Sequence, residues 1–164
     1  RIVDKFEIQK YYFKQNISLD YKKIVVEKKE DGQPYFSKLS LSISHTKKFA
    51  IAEISDRGHI GIDIENIRSF SSLVYKNFLT SNEKKWIETK PKKARNLYTT
   101  IFWSLKESYL KALGQGLKKH PVKIDIKKSN RGFYVSVSDL NKNYFWYKMN
   151  AEDNYVITKI ILKK

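Results

Sequence analysis

The run HIGIDIE at 59–65 holds two acids, Asp63 and Glu65, in a segment that alternates like a strand. Ile60, Ile62 and Ile64 then project from one face, and Gly61, Asp63 and Glu65 from the other. Two carboxylates so placed can share a divalent cation through oxygen ligands or bound water, with the small Gly61 leaving room beside them. The plainer alternative is a half-buried strand whose polar face meets water. The cation reading needs a third ligand from elsewhere in the chain.

A second cluster lies in FWSLKESYLKALGQGL at 102–117. At about 100° per residue, Phe102, Trp103, Leu105, Tyr109, Leu110, Ala112 and Leu113 fill roughly half of a helix, and Ser104, Glu107, Ser108 and Lys111 lie opposite. Glu107 and Lys111 reach each other or a common ligand; by themselves they make an ordinary i,i+4 ion pair. Lys106 falls inside the apolar half, where an ammonium must either extend to water or meet an anion. Gly114 or Gly116 suits a left-handed C-cap better than a phosphate cradle, because anions favour helix starts. His45, beside Lys47 and Lys48, is either a packed or solvent-facing residue or a contact for a phosphate.

The elements that must position these groups follow from periodicity and turn residues. IVDKFEIQKYYFK at 2–14 reads as a short helix, KIVVEK as a strand and EDGQP at 30–34 as a turn. LSLSISH, FAIAEIS and HIGIDIE, joined by TKK and DRG, predict three strands of one antiparallel sheet. LVYKNFL predicts a short helix, and Thr80 with Glu83 has the spacing of a capping box opening a second. Pro91 ends that helix, and a long one follows to Gly114. VKIDIK, GFYVSVS, YFWYKM and YVITKIIL then read as strands.

The 164 residues, 41% of them apolar, suffice for a core in one domain or two packed lobes. The absence of cysteine excludes disulfides and thiolate metal sites, so a bound metal would be a hard cation on oxygen or histidine ligands. A formal charge of +16 draws anions: a nucleic acid, an acidic protein, a membrane surface or a phosphorylated small molecule. No apolar run is long enough to span a bilayer and no signal pattern opens the chain, which begins at Arg1, so a cytoplasmic protein is expected.

Taken in order, GQPYF, LSISHT, GIDIE, FLTSNE and FWSLKESYLKALGQGL resemble the successive motifs of the 4′-phosphopantetheinyl transferases of the Sfp type, over about residues 30–125. GIDIE together with W-x-x-K-E-x-x-x-K is the specific part. The resemblance implies an α+β fold of two similar lobes with pseudo-twofold symmetry, 1–68 and 69–164, with the site between them. The first lobe would begin inside the family's longer N-terminal segment. It also implies magnesium-dependent transfer of the phosphopantetheine arm of coenzyme A to a serine of an apo carrier protein, releasing 3′,5′-ADP.

By position, Asp63, Glu65 and Glu107 would ligate the metal, directly or through water. Glu107 or a metal-bound water would be the base, and Lys111 would assist the leaving phosphate. Ser44, His45, Lys106 and Lys111 would contact coenzyme A. The implied partner is an acidic carrier protein, toward which a charge of +16 would steer a monomer.

The family's Gly-Lys-Pro stands here as Gly32, Gln33 and Pro34, and its Gly-Lys-Gly-Leu as Gly114, Gln115, Gly116 and Leu117, each with one cation fewer. Two other readings compete. A nucleic-acid module would stack bases on Tyr144, Phe145, Trp146 and Tyr147. That module would need neither Asp63 nor Glu107, and a carrier-binding relative that has lost catalysis is suggested by the short N-terminal segment. Only the transferase reading explains why acids collect at 63, 65 and 107 in so basic a chain.

Overall fold

The computed structural model describes residues 25–29, 34–36, 39–114, 120–138, 141–150 and 154–162. Its elements run β1 (Glu27–Lys28), β2 (Pro34–Phe36), β3 (Leu39–His45), β4 (Ala50–Ser55), β5 (His59–Asn66), α1 (Ser72–Phe78), α2 (Ser81–Glu88) and α3 (Arg95–Leu113). Then follow β6 (Ile126–Ser129), β7 (Gly132–Ser138), β8 (Asn141–Tyr144), β9 (Trp146–Asn150) and β10 (Tyr155–Leu162). The fold is α+β, with three antiparallel sheets ordered β1-β2-β3-β4, β5-β10-β9 and β6-β7-β8. The expected helix at 2–14 and most of the turn at 30–34 lie outside the described residues, as do Gln115, Gly116 and Leu117.

The expectation that β3, β4 and β5 form one sheet is corrected. β3 and β4 pair as a hairpin, but β5 pairs along its length with β10, placing Asp63 opposite Thr158 and Gly61 opposite Ile160. β3 instead meets β5 through side chains. The hydroxyls of Ser40, Ser42 and Ser44 accept the N–H groups of Ile60, Ile62 and Ile64 at 3.0, 3.0 and 3.2 Å. A serine at every second residue presents each hydroxyl on one face of its strand, so the ladder satisfies β5 backbone donors that would otherwise be buried unpaired.

Helix α3 crosses β5 and β10, and it is buried nearly all round. Ser104 and Ser108, on the polar stripe opposite the apolar half, are fully buried and meet Thr158 of β10: Thr158 donates to the Ser104 carbonyl at 2.8 Å and lies 2.9 and 3.1 Å from the two serine hydroxyls. The polar stripe is thus the face laid on the sheet. Gly61 permits this approach, because a Cβ there would collide with the Ser108 carbonyl oxygen and sit 2.7 Å from the Ala112 nitrogen. The space beside Gly61 belongs to the helix backbone rather than to a ligand.

The other side of α3 contributes Phe102, Leu105 and Leu110 to a core shared with Phe78, Ile87 and Phe133. The predicted capping box is present on α2, with Thr80 Oγ1 accepting from Glu83 N–H at 3.2 Å and Glu83 Oε2 from Thr80 N–H at 2.7 Å. Gly114 ends α3 in the left-handed conformation at φ 69°. The stretch YFWYKM is two strands rather than one. Phe145 interrupts it, buried in the core with its N–H donated to the Phe133 carbonyl at 2.9 Å, so β8 and β9 enter different sheets. Phe145 is therefore no base-stacking platform.

Candidate functional site

Asp63 sits at the middle of the β5–α3 contact, 3% exposed. Its Oδ1 accepts two hydrogen bonds, from Ser44 Oγ at 2.8 Å and from the Lys111 ammonium at 2.7 Å. Its Oδ2 is buried and has no partner. A buried carboxylate oxygen left bare is costly, and it marks a place where a further cationic or protic group would be bound. The polar-face-to-water reading of this strand is thereby corrected, since Asp63 is covered by the helix.

Glu65 lies one alternation further along the same face, nearer the surface. Its Oε1 accepts the indole N–H of Trp103 at 2.9 Å, and Arg68 approaches its Oε2 at 3.9 Å. Burial raises its pKa above the usual carboxylate range, the Trp103 bond opposes that, and the charge of Asp63 adds to it. Trp103 was expected only as part of the apolar face. Its donor role was hidden because its partner lies on a distant strand.

Glu107 projects from α3 toward these two acids. Burial pushes its pKa up to about 7, and Asp63 and Glu65 add to the rise against the opposing charge of Lys111. Lys111 had two readings from sequence, partner of Glu107 or holder of a ligand, and its ammonium is drawn across to Asp63. Trp103, Glu107 and Lys111 recur every four residues, so one helix face serves both acids of β5.

The structure brings together Asp63, Glu65, Glu107, Lys111 and Ser44. Ser44 is buried, bound to Asp63 and to Ile64 N–H. His45 is exposed at the end of β3, in register with Ala50.

Lys106 is not brought to this group. It is 1% exposed, and its three N–H donors go to Glu83 Oε2 at 2.7 Å and to the carbonyls of Phe78 and Pro121 at 2.6 and 3.0 Å. The anion that explains its place in the apolar half is a protein carboxylate. Glu83 in turn accepts from Ile126 N–H at 2.8 Å, so the pair ties α1, α2, α3 and β6 together. The expected phosphate contact of Lys106 is corrected on that ground: its donors are already used.

Among the described residues, no three acidic or histidine side chains converge closely enough to hold a metal as they stand. The donor types still suit a hard cation, since Asp63, Glu65 and Glu107 offer oxygen alone, and Asp63 Oδ2 is a bare acceptor among them. No helix among the described residues is long and apolar enough to cross a membrane.

Residues 59–160 match the family model of the 4′-phosphopantetheinyl transferase superfamily. The chain is 31% identical over 111 residues to 4′-phosphopantetheinyl transferase gsp of Aneurinibacillus migulanus, covering 67% of this chain and 46% of that protein. It is 28% identical over 141 residues to 4′-phosphopantetheinyl transferase Sfp of Bacillus subtilis, covering 77% and 62%. The chain thus spans about half the length of the first of these relatives.

Among solved structures, the holo-[acyl-carrier-protein] synthase of Thermotoga maritima aligns with TM-score 0.54 at 21% identity, covering 65% of this chain and 63% of that one. A holo-(acyl-carrier-protein) synthase of Bacillus anthracis, in complex with CoA (3′,5′-ADP), aligns with TM-score 0.51 at 20% identity, covering 64% and 95%. These two likenesses concern the fold.

Proposed function

The chain belongs to the 4′-phosphopantetheinyl transferase superfamily, and from that premise we propose that it transfers the phosphopantetheine arm of coenzyme A to a serine hydroxyl of an apo carrier protein. The observation that carries the reading is the bare, buried Oδ2 of Asp63, with Lys111 on the other oxygen of the same carboxylate and with Glu65 and Glu107 near enough for the charges of the three acids to act on one another. The named relatives are transferases of this arm, and the Bacillus anthracis neighbour holds a coenzyme A fragment, which supports coenzyme A as substrate.

Asp63, Glu65 and Glu107 are the residues that would hold a magnesium ion. When bound, that ion would supply positive charge to the pyrophosphate oxygens. The remaining work falls to side chains of this chain. The serine oxygen forms a bond to the phosphorus that carries the pantetheine arm, and the bond from that phosphorus to the bridging oxygen breaks. Glu107, on the helix face that meets the two acids of β5, accepts the serine proton. Lys111 lies in the same cluster and moves from Asp63 toward the phosphate that departs with 3′,5′-ADP, offsetting its growing charge.

Residues from both sides of position 68 build this centre: Ser44, Asp63 and Glu65 from 1–68, Glu107 and Lys111 from 69–164. Two lobes related by a pseudo-twofold axis, with the site between them and completed within a monomer, are part of the proposal, although β5 pairs with β10 across position 68. Exposed His45 remains a candidate phosphate contact. The charge of +16 suits an acidic carrier protein in the cytoplasm. Incubation with coenzyme A, magnesium and apo carrier protein, followed by mass spectrometry, tests the proposal. The carrier gains the mass of the arm; failure with every acyl and peptidyl carrier tried would overturn it.

A further inference from the structure

The two acids of β5 are each gripped at one oxygen by a neutral donor from another element. Ser44 of β3 donates to Asp63 Oδ1 at 2.8 Å, and Trp103 of α3 donates to Glu65 Oε1 at 2.9 Å. In Asp63 the outcome is asymmetric. Oδ1 carries both Ser44 and Lys111, while Oδ2 is buried and bare. A carboxylate with one oxygen saturated and the other unpaired cannot rotate without breaking bonds, so it presents a single fixed oxygen to a ligand.

The Ser44 hydroxyl is itself fixed, because it accepts the N–H of Ile64 at 3.2 Å and so must turn its proton to Asp63. It is 6% exposed, which leaves its hydroxyl little access to a phosphate. The indole of Trp103 is held in the same way, packed edge-on against Phe78 at 5.0 Å between ring centres and near Phe70 at 6.1 Å.

We infer that Ser44 and Trp103 are positioning residues for a divalent cation: Ser44 locks Asp63 so that its bare Oδ2 faces the ligand, and Trp103 fixes Oε1 of Glu65, whose Oε2 lies 3.9 Å from Arg68. This rests on the metal-carboxylate reading above, and it moves Ser44 from contact with coenzyme A to support of the acid that would hold the ion. Donors of this outer kind commonly change metal affinity by about 10- to 100-fold when removed.

Direct titration of the full chain with Mn2+ alone, followed by calorimetry, tests the inference in Ser44→Ala, Trp103→Phe and Ser42→Ala. Ser42 is the control, since its hydroxyl accepts Ile62 N–H at 3.0 Å in the same ladder without touching either acid. The expected result is Mn2+ affinity lowered about 10- to 100-fold in Ser44→Ala and Trp103→Phe, with Ser42→Ala like the parent even where melting temperatures fall alike.

Equal losses of Mn2+ affinity in Ser42→Ala and Ser44→Ala would make the ladder merely structural and overturn the inference. Unchanged Mn2+ binding in Ser44→Ala with a raised KM for coenzyme A would overturn it in favour of a phosphate contact. A parent chain that binds no Mn2+ would overturn the metal-carboxylate reading as well, which separates that failure from the other two.

Discussion

Lys106 and Lys111 both belong to α3, and each ammonium lies 2.7 Å from a carboxylate oxygen. Around Lys106 every polar atom is served: Glu83 bonds Thr80 N–H, Ile126 N–H and the ammonium, and the ammonium bonds two carbonyls besides. Around Lys111 the count does not close, because Asp63 keeps a bare oxygen and Glu107 is held near neutrality by burial and its acidic neighbours. The first pair is sealed at 1% exposure on both partners, whereas the Lys111 side chain is 28% exposed. A completed network has nothing left to bind, and an incomplete one at the rim of a core is where a ligand can enter.

Removing one partner should separate the two pairs most sharply. Lys106→Ala leaves the Glu83 carboxylate buried without its cation, and a loss of about 3–5 kcal/mol in unfolding free energy is expected by urea denaturation. A loss under about 1 kcal/mol, the range of exposed pairs, would mean that the two sites do not differ in this way. Lys111→Met should do the reverse. Its melting temperature should fall less than that of Lys106→Ala, because Lys111 is 28% exposed, while the transfer rate falls about 10²- to 10³-fold, as for loss of a group that stabilises developing charge. A variant that unfolds yet transfers normally per folded molecule would contradict the assignment.

The smallest effect is in pH. Glu107 has a folded-state pKa of about 7, above its ordinary 4.5, so it binds a proton more tightly folded than unfolded. Its contribution to stability is complete below pH 4.5 and is lost as pH rises through 7. In chelator, melting temperature should therefore fall between about pH 5.5 and 8, and less so in Glu107→Gln. Parallel curves for the two proteins would contradict the perturbed titration of Glu107.

What the sequence made legible was local. The Thr80–Glu83 box and the stop of α3 at Gly114 are decided by residues a few positions apart, and both appear as read. The acids at 63, 65 and 107 were likewise visible by type and spacing. Contacts across the fold were not. Glu83 looked complete as a capping residue, so nothing marked it as the counterion of Lys106. Gly61 looked like space for a ligand until α3 was laid over it. The serines of LSLSIS carried a period-two signal, but an alternation of small polar residues equally describes an exposed strand face. Phe145 broke an apparent strand because the Phe133 carbonyl and the core claimed it.

Transfer to an apo carrier protein, measured by mass for the parent and for Glu107→Gln at equal folded fraction, tests the central claim most directly. The parent is expected to add the phosphopantetheine arm in the presence of magnesium and coenzyme A. Glu107→Gln is expected to keep the fold and lose about 10²- to 10⁴-fold in rate, the usual contribution of a general base. Equal rates in the two proteins, or no addition by the parent to any carrier, would contradict the account.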